Sequence, residues 1–61
     1  MKYVRREKDI KPYKLYYDSS SSEYIFIIQK NADGIEYYRL SRPDNVNIVS
    51  VSWALTYWKT P

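Results

Sequence analysis

The sequence predicts a small all-β protein, an antiparallel meander or an SH3-like or OB-like barrel of four to five strands. Three observations predict it. Short strand-like stretches recur at 13–18, 24–29 and 35–40, the first with alternating side chains and the second almost wholly apolar. Turn-forming groups at 19–22, 31–34 and 42–45 separate those stretches from each other and from the C-terminal part. The stretches themselves are filled largely by tyrosine and isoleucine, which suit a pleated surface.

Residues 1–11 carry Lys2, Arg5, Arg6, Lys8 and Lys11 and read as a basic N-terminal arm, with Tyr3 and Val4 offering a short edge strand. The β-sheet body is expected over 12–59. Pro12 cannot donate a ladder hydrogen bond, so it marks a strand start. After it, Tyr13, Leu15 and Tyr17 point one way and Lys14, Tyr16 and Asp18 the other. The serine run 19–22 is a loop. Across it, opposed positions number to a constant 41: Tyr17 meets Tyr24, Leu15 meets Phe26 and Tyr13 meets Ile28.

Asn31-Ala32-Asp33-Gly34 suits a type I turn over Ala32 and Asp33, closed by the chain's single glycine at positive φ. Opposed positions then number to 66, so Lys30 faces Glu36, Ile28 faces Tyr38 and Phe26 faces Leu40. Strand side chains alternate, so the hairpin has two faces. Tyr24, Phe26, Ile28, Tyr38 and Leu40 continue the Tyr13, Leu15, Tyr17 side and form the expected core. Tyr16, Ile25, Ile27, Tyr37 and Arg39 form the expected outer face. Arg42-Pro43-Asp44-Asn45 reads as a second turn. Beyond it, apolar residues alternate on even numbers to Ile48 and on odd numbers from Val49 to Tyr57, a phase slip that suits a bulge in a last strand. The competing reading is a short C-terminal helix over 53–59 with Ser52 as its N-cap.

Composition narrows the chemistry. Sixty-one residues make one domain, 1–61, that buries only about 60% of the surface its unfolded chain exposes. Eight tyrosines, two tryptophans and one phenylalanine must supply most of the core area. With neither histidine nor cysteine, the chain lacks a near-neutral base, a thiolate nucleophile and the usual zinc ligands. One glycine cannot build a phosphate loop. Asp18 and Glu23 flank the serine loop as the one candidate for paired carboxylates or a hard-cation site, and solubilising that turn is the plainer role. The expectation is a protein that is not an enzyme and carries no cofactor or metal.

Binding remains. The expected function is a protein–protein interaction module that docks through Tyr16, Ile25, Ile27, Tyr37 and Arg39, since tyrosine and arginine are favoured at interface hot spots. The Tyr-, Ile-, Lys-, Asn- and Ser-rich composition associates it with the inhibitors and adaptors made by phages and mobile elements. The alternative is nucleic-acid binding, with Lys2, Arg5, Arg6, Lys8, Lys11 and Lys14 on phosphates and exposed tyrosines on bases. The charge supports that alternative locally: residues 1–14 hold six basic against two acidic groups, and the remainder four against five. No apolar leader or membrane span is present, and absent cysteine fits a reducing compartment, so a soluble cytoplasmic chain is expected, with homo-oligomerisation as a further partner class.

Overall fold

The computed structural model describes residues 1–61 and shows one antiparallel sheet of six strands in the order β1-β6-β2-β3-β4-β5. In chain order these are β1 (Lys2–Tyr3), a 3-10 turn (Glu7–Asp9), β2 (Leu15–Asp18), β3 (Glu23–Asn31), β4 (Gly34–Arg39), β5 (Arg42–Val49), the helix α1 (Val51–Tyr57) and β6 (Trp58–Thr60). The expected antiparallel all-β class is observed, with β2 to β5 as its meander. β1 is the short edge strand expected near Tyr3, and β6 is the strand beyond the expected number; the two pair the chain ends through Lys2–Thr60 and Tyr3–Lys59. The sheet is open, with β1 and β5 as its edges.

Between β2 and β3 the register is the one the sequence requires: Leu15 lies opposite Phe26 and Tyr17 opposite Tyr24. The β3–β4 hairpin is displaced. Asn31 pairs with Gly34 and Lys30 with Ile35, and past a bulge at Ile28 the pairs are Ile27–Tyr37 and Phe26–Tyr38. Gln29 replaces Lys30 as the neighbour of Glu36, its Nε2 donating to Oε2 at 2.6 Å. Beyond the bulge Phe26 meets Tyr38 where Leu40 was expected, an offset of two positions. That even offset leaves the side chains beyond the bulge on their expected sides, whereas the one-position offset at the hairpin tip exchanges Gln29 and Lys30 between the faces.

What is inverted is which side is covered. The core comprises Val4, Ile10, Tyr16, Ile25, Ile27, Ile35, Tyr37, Ala54 and Trp58. The expected outer face is therefore the buried one, and Tyr13, Leu15, Tyr24 and Leu40 of the expected core are exposed. The reason lies in the side chains. Isoleucine is all hydrocarbon and gains most from leaving water, whereas a tyrosine ring keeps a hydroxyl that water satisfies.

The cover comes from both ends of the chain. Residues 1–11 are not a free arm: Val4 and Ile10 are buried, and Val4 N–H donates to Trp58 O at 3.0 Å. Tyr16 Oη fastens the same segment, donating to Asp9 O at 2.6 Å and accepting from Lys11 N at 3.1 Å. From the other end, α1 takes the place of the expected strand. Its N-cap is Ser50, not Ser52, and Ser50 Oγ accepts from Trp53 N at 3.1 Å. Val51, Ala54, Leu55 and Trp58 fall at helical spacing and form the inward stripe. Period two and period 3.6 both fit this short stretch, and packing against the sheet decides for the helix.

The signal at 42–45 also resolves differently. The chain turns at Leu40 and Ser41, and Pro43 lies within β5. Arg39 pairs with Arg42 and Tyr38 with Val46, so Pro43, Asp44 and Asn45 stand outside the ladder. A proline is tolerated there because β5 is an edge. From β5 the chain must reach β6, four strand spacings away, roughly 19 Å on a flat sheet. A seven-residue helix covers only about 10 Å. The sheet therefore curls around α1, and Trp58 of β6 meets Tyr37 of β4 edge-on with ring centroids 5.0 Å apart.

Candidate functional site

The first candidate is the face that nothing covers. The strand registers set its side chains in rows. Tyr3, Lys59, Tyr17 and Tyr24 follow one another across β1, β6, β2 and β3. Leu15, Phe26, Tyr38 and Val46 form the next row across β2 to β5, and Glu36 with Ile48 begins a third. Neighbouring rings touch: Tyr17 and Tyr24 pack edge-on with centroids 5.2 Å apart, and the mutually tilted rings of Phe26 and Tyr38 lie 5.5 Å apart. Val46 and Ile48 remain 54% and 55% exposed. Glu36 and Lys59 are the only charges in these rows. Glu36 is already satisfied by Gln29 Nε2 and by Asn31 Nδ2 at 2.8 Å.

Tyr13 stands at the border of this face, 75% exposed, its ring 6.5 Å from that of Phe26. Its φ of 62° lies in the left-handed region, which costs a non-glycine residue about 1–2 kcal/mol. Two hydrogen bonds to Ile27 hold it there: Tyr13 N donates to Ile27 O at 2.7 Å, and Ile27 N donates to Lys14 O at 3.1 Å. The backbone strain displays a ring to solvent.

Charge lies under the cover instead. Asp18 is fully buried, with Oδ1 accepting from Ser20 N at 2.9 Å and Ser20 Oγ at 2.7 Å. Arg39 reaches between its neighbours, 3.8 Å from Asp18 Oδ2 and 3.0 Å from Glu23 Oε2. Asp18 and Glu23 are thus brought together around a single arginine, which pairs closely with Glu23 and leaves Asp18 Oδ2 buried without a hydrogen bond. Arg39 also sits 5.7 Å from the centre of the Tyr37 ring. Burial raises the Tyr37 phenol above its ordinary value of 10.0, Asp18 adds to the rise, and Arg39 opposes it. The cluster ties β2, β3 and β4 together at one end of the core.

The second candidate is a cleft between the chain ends, lined by Met1, Lys2, Tyr3, Val4, Arg5, Arg6, Asp9, Lys59 and Thr60. The β1–β6 pairing makes it, by setting Lys59 beside Tyr3. The Lys59 ammonium lies 4.6 Å from the Tyr3 ring centre, a cation–π distance. Asp9 accepts from Arg6 Nε at 3.3 Å, so the one carboxylate of the cleft is engaged.

None of the five residues expected to meet a partner is free: Tyr16, Ile25, Ile27 and Tyr37 are at most 2% exposed, and Arg39 is held in its ion pairs. Of the basic set, Lys2, Arg5, Arg6, Lys8, Lys11 and Lys14 are all exposed, and only the first three line the cleft. Lys59 joins them from the opposite end of the chain. No helix is long and apolar enough to cross a membrane. Comparison with protein-family models, with curated proteins and with solved structures finds no match for this chain.

Proposed function

We propose that this chain is a non-enzymatic protein-interaction module that docks through the open face of its sheet. One observation carries the reading: an apolar, ring-rich surface with almost no charge is left bare on a chain whose buried side does hold charge. Four strands at ~4.8 Å and rows roughly 7 Å apart make it about 300–400 Å², comparable to the largest apolar patch of an ordinary monomer, which is often functional. Its make-up suits a protein partner. Tyr24, Tyr38 and Phe26 offer rigid anchors, and Leu40, Val46 and Ile48 offer hydrocarbon without charges to desolvate. A chain of this size and lacking histidine and cysteine acts by occupying a surface, as the inhibitors and adaptors of phages and mobile elements do. Its cysteine-free composition suits the cytoplasm.

The test uses capture from the source-cell lysate on immobilised protein. Leu40→Asp and Val46→Asp put a charge into the face at exposed positions, where folding tolerates it. A partner held by the parent protein and released by both variants, with circular dichroism unchanged, is the expected result. A partner that both variants retain would show the face to be idle.

A further inference from the structure

We infer that the cleft between the chain ends binds the backbone of single-stranded nucleic acid, with Lys2, Arg5, Arg6 and Lys59 on phosphates and Tyr3 as a stacking platform. The inference stands on the charge and shape of the chain ends; the cleft shares Tyr3 and Lys59 with one border of the open face, and the aliphatic part of that face is tested separately.

Cations reach the cleft from two separate segments, Lys2 to Arg6 on one side and Lys59 on the other, because β1 and β6 pair across the ends of the chain. Lys2, Arg5 and Lys59 have no carboxylate partner, and Arg6 holds the only acid present. The net positive charge of the whole protein is thus concentrated in its one concave feature. Any polyanion would feel that field, and the aromatic geometry distinguishes among them. Tyr3 is half exposed at the mouth of the cleft, and the row it begins runs on through Lys59 to Tyr17 and Tyr24. Cations along a groove with rings beside them are what a flexible strand with unstacked bases engages. A duplex keeps its bases stacked inside and cannot offer them to the rings. An acidic peptide has the charge and lacks the π-faces.

The experiment is fluorescence anisotropy with a labelled 15-nucleotide oligothymidylate at 50 and 200 mM salt. Four phosphate contacts on a single strand weaken binding by about 50-fold between those salts. Lys59→Ala weakens binding and lowers the salt slope by about 0.7. Tyr3→Ala weakens it by at least about fivefold without changing the slope, and Tyr3→Phe, which keeps the ring, restores it. Lys8→Ala, outside the cleft, and Leu40→Asp, on the aliphatic part of the open face, bind as the parent does. The inference is overturned if no binding is seen at 50 mM salt, or if polyglutamate competes as well as unlabelled oligothymidylate at equal charge. It is likewise overturned if Tyr3→Phe binds no better than Tyr3→Ala. Loss of binding in Leu40→Asp would move the strand onto the open face and also overturn it, while leaving lysate capture as the separate test of docking.

Discussion

The two faces of the sheet differ in the opposite sense from an ordinary half-solvated antiparallel sheet, which turns its polar residues outward. The covered face holds Ile25, Ile27 and Ile35, yet it also holds Asp18, Arg39 and Tyr37. The open face holds Leu15, Phe26, Tyr38, Val46 and Ile48, with Glu36 and Lys59 as its sole charges. Total apolarity therefore does not decide which side is buried. The side that meets α1 and the N-terminal segment is buried, and it is the one with the densest hydrocarbon. The other side is too apolar to be built for water, which is the physical case for a docking role.

The sharpest way to break this comparison is to empty the covered side. Trp58 is fully buried and packs against both Tyr16 and Tyr37. Trp58→Ala is expected to cost about 3–5 kcal/mol. A domain of this length has roughly 3–9 kcal/mol in total, so the variant should be largely unfolded in a urea titration followed by circular dichroism. A cost under about 1 kcal/mol would mean that the core lies elsewhere.

Next in size is Gly34→Val. A Cβ at Gly34 would lie 2.5 Å from the backbone oxygen of Val49 and 3.1 Å from Ile48 Cγ2, and φ is +140°. The glycine serves the close approach of β5 to β4 as much as the turn. A loss of more than about 2 kcal/mol is expected. Gly34→Ala should lose nearly as much, because the clash is with Cβ itself. A harmless alanine would show that β5 does not approach this closely.

Alkaline pH probes the covered face more gently. Tyr37 is held neutral by burial, so its folded pKa lies above that of the unfolded chain. Its contribution is complete below the unfolded value of about 10 and fades as pH rises through the folded one. Stability measured from pH 9 to 11.5 should fall less steeply in Tyr37→Phe than in the parent. Parallel curves would mean that Tyr37 ionises as freely in the folded state as in the unfolded.

Much of this architecture is legible in the residues. The Asn31 to Gly34 turn, the pairing of Leu15 with Phe26, and the grouping of side chains into two faces all follow from local chemistry and a period of two. The choice of the buried face does not, because it depends on Val4, Ile10, Ala54 and Trp58 arriving from far along the chain. A usable signal was present: Ile35 belongs with Ile25 and Ile27, and counting branched hydrocarbon apart from tyrosine favours their side. The role of Lys59 is not legible in the sequence for a related reason. The excess of basic residues lies at 1–14, and only the pairing of β1 with β6 carries a C-terminal lysine to that site.

The smallest expected effect is the most telling about the open face. Leu40 is 48% exposed in the turn between β4 and β5, so Leu40→Thr removes little buried area. At low micromolar concentration the change in stability should stay within about 0.5 kcal/mol. Ile27→Ala, one residue of the covered face, should cost about 2–5 kcal/mol in the same titration. If the two costs were alike, Leu40 would have to be packed against something within the folded chain, and the face would not be open. If Leu40→Thr is neutral for the isolated chain yet weakens capture of a partner, its apolarity is maintained for binding and not for folding. The contrast between the faces would then be a division of labour: isoleucine and tryptophan hold the fold, and the ring-rich side is kept bare for what docks on it.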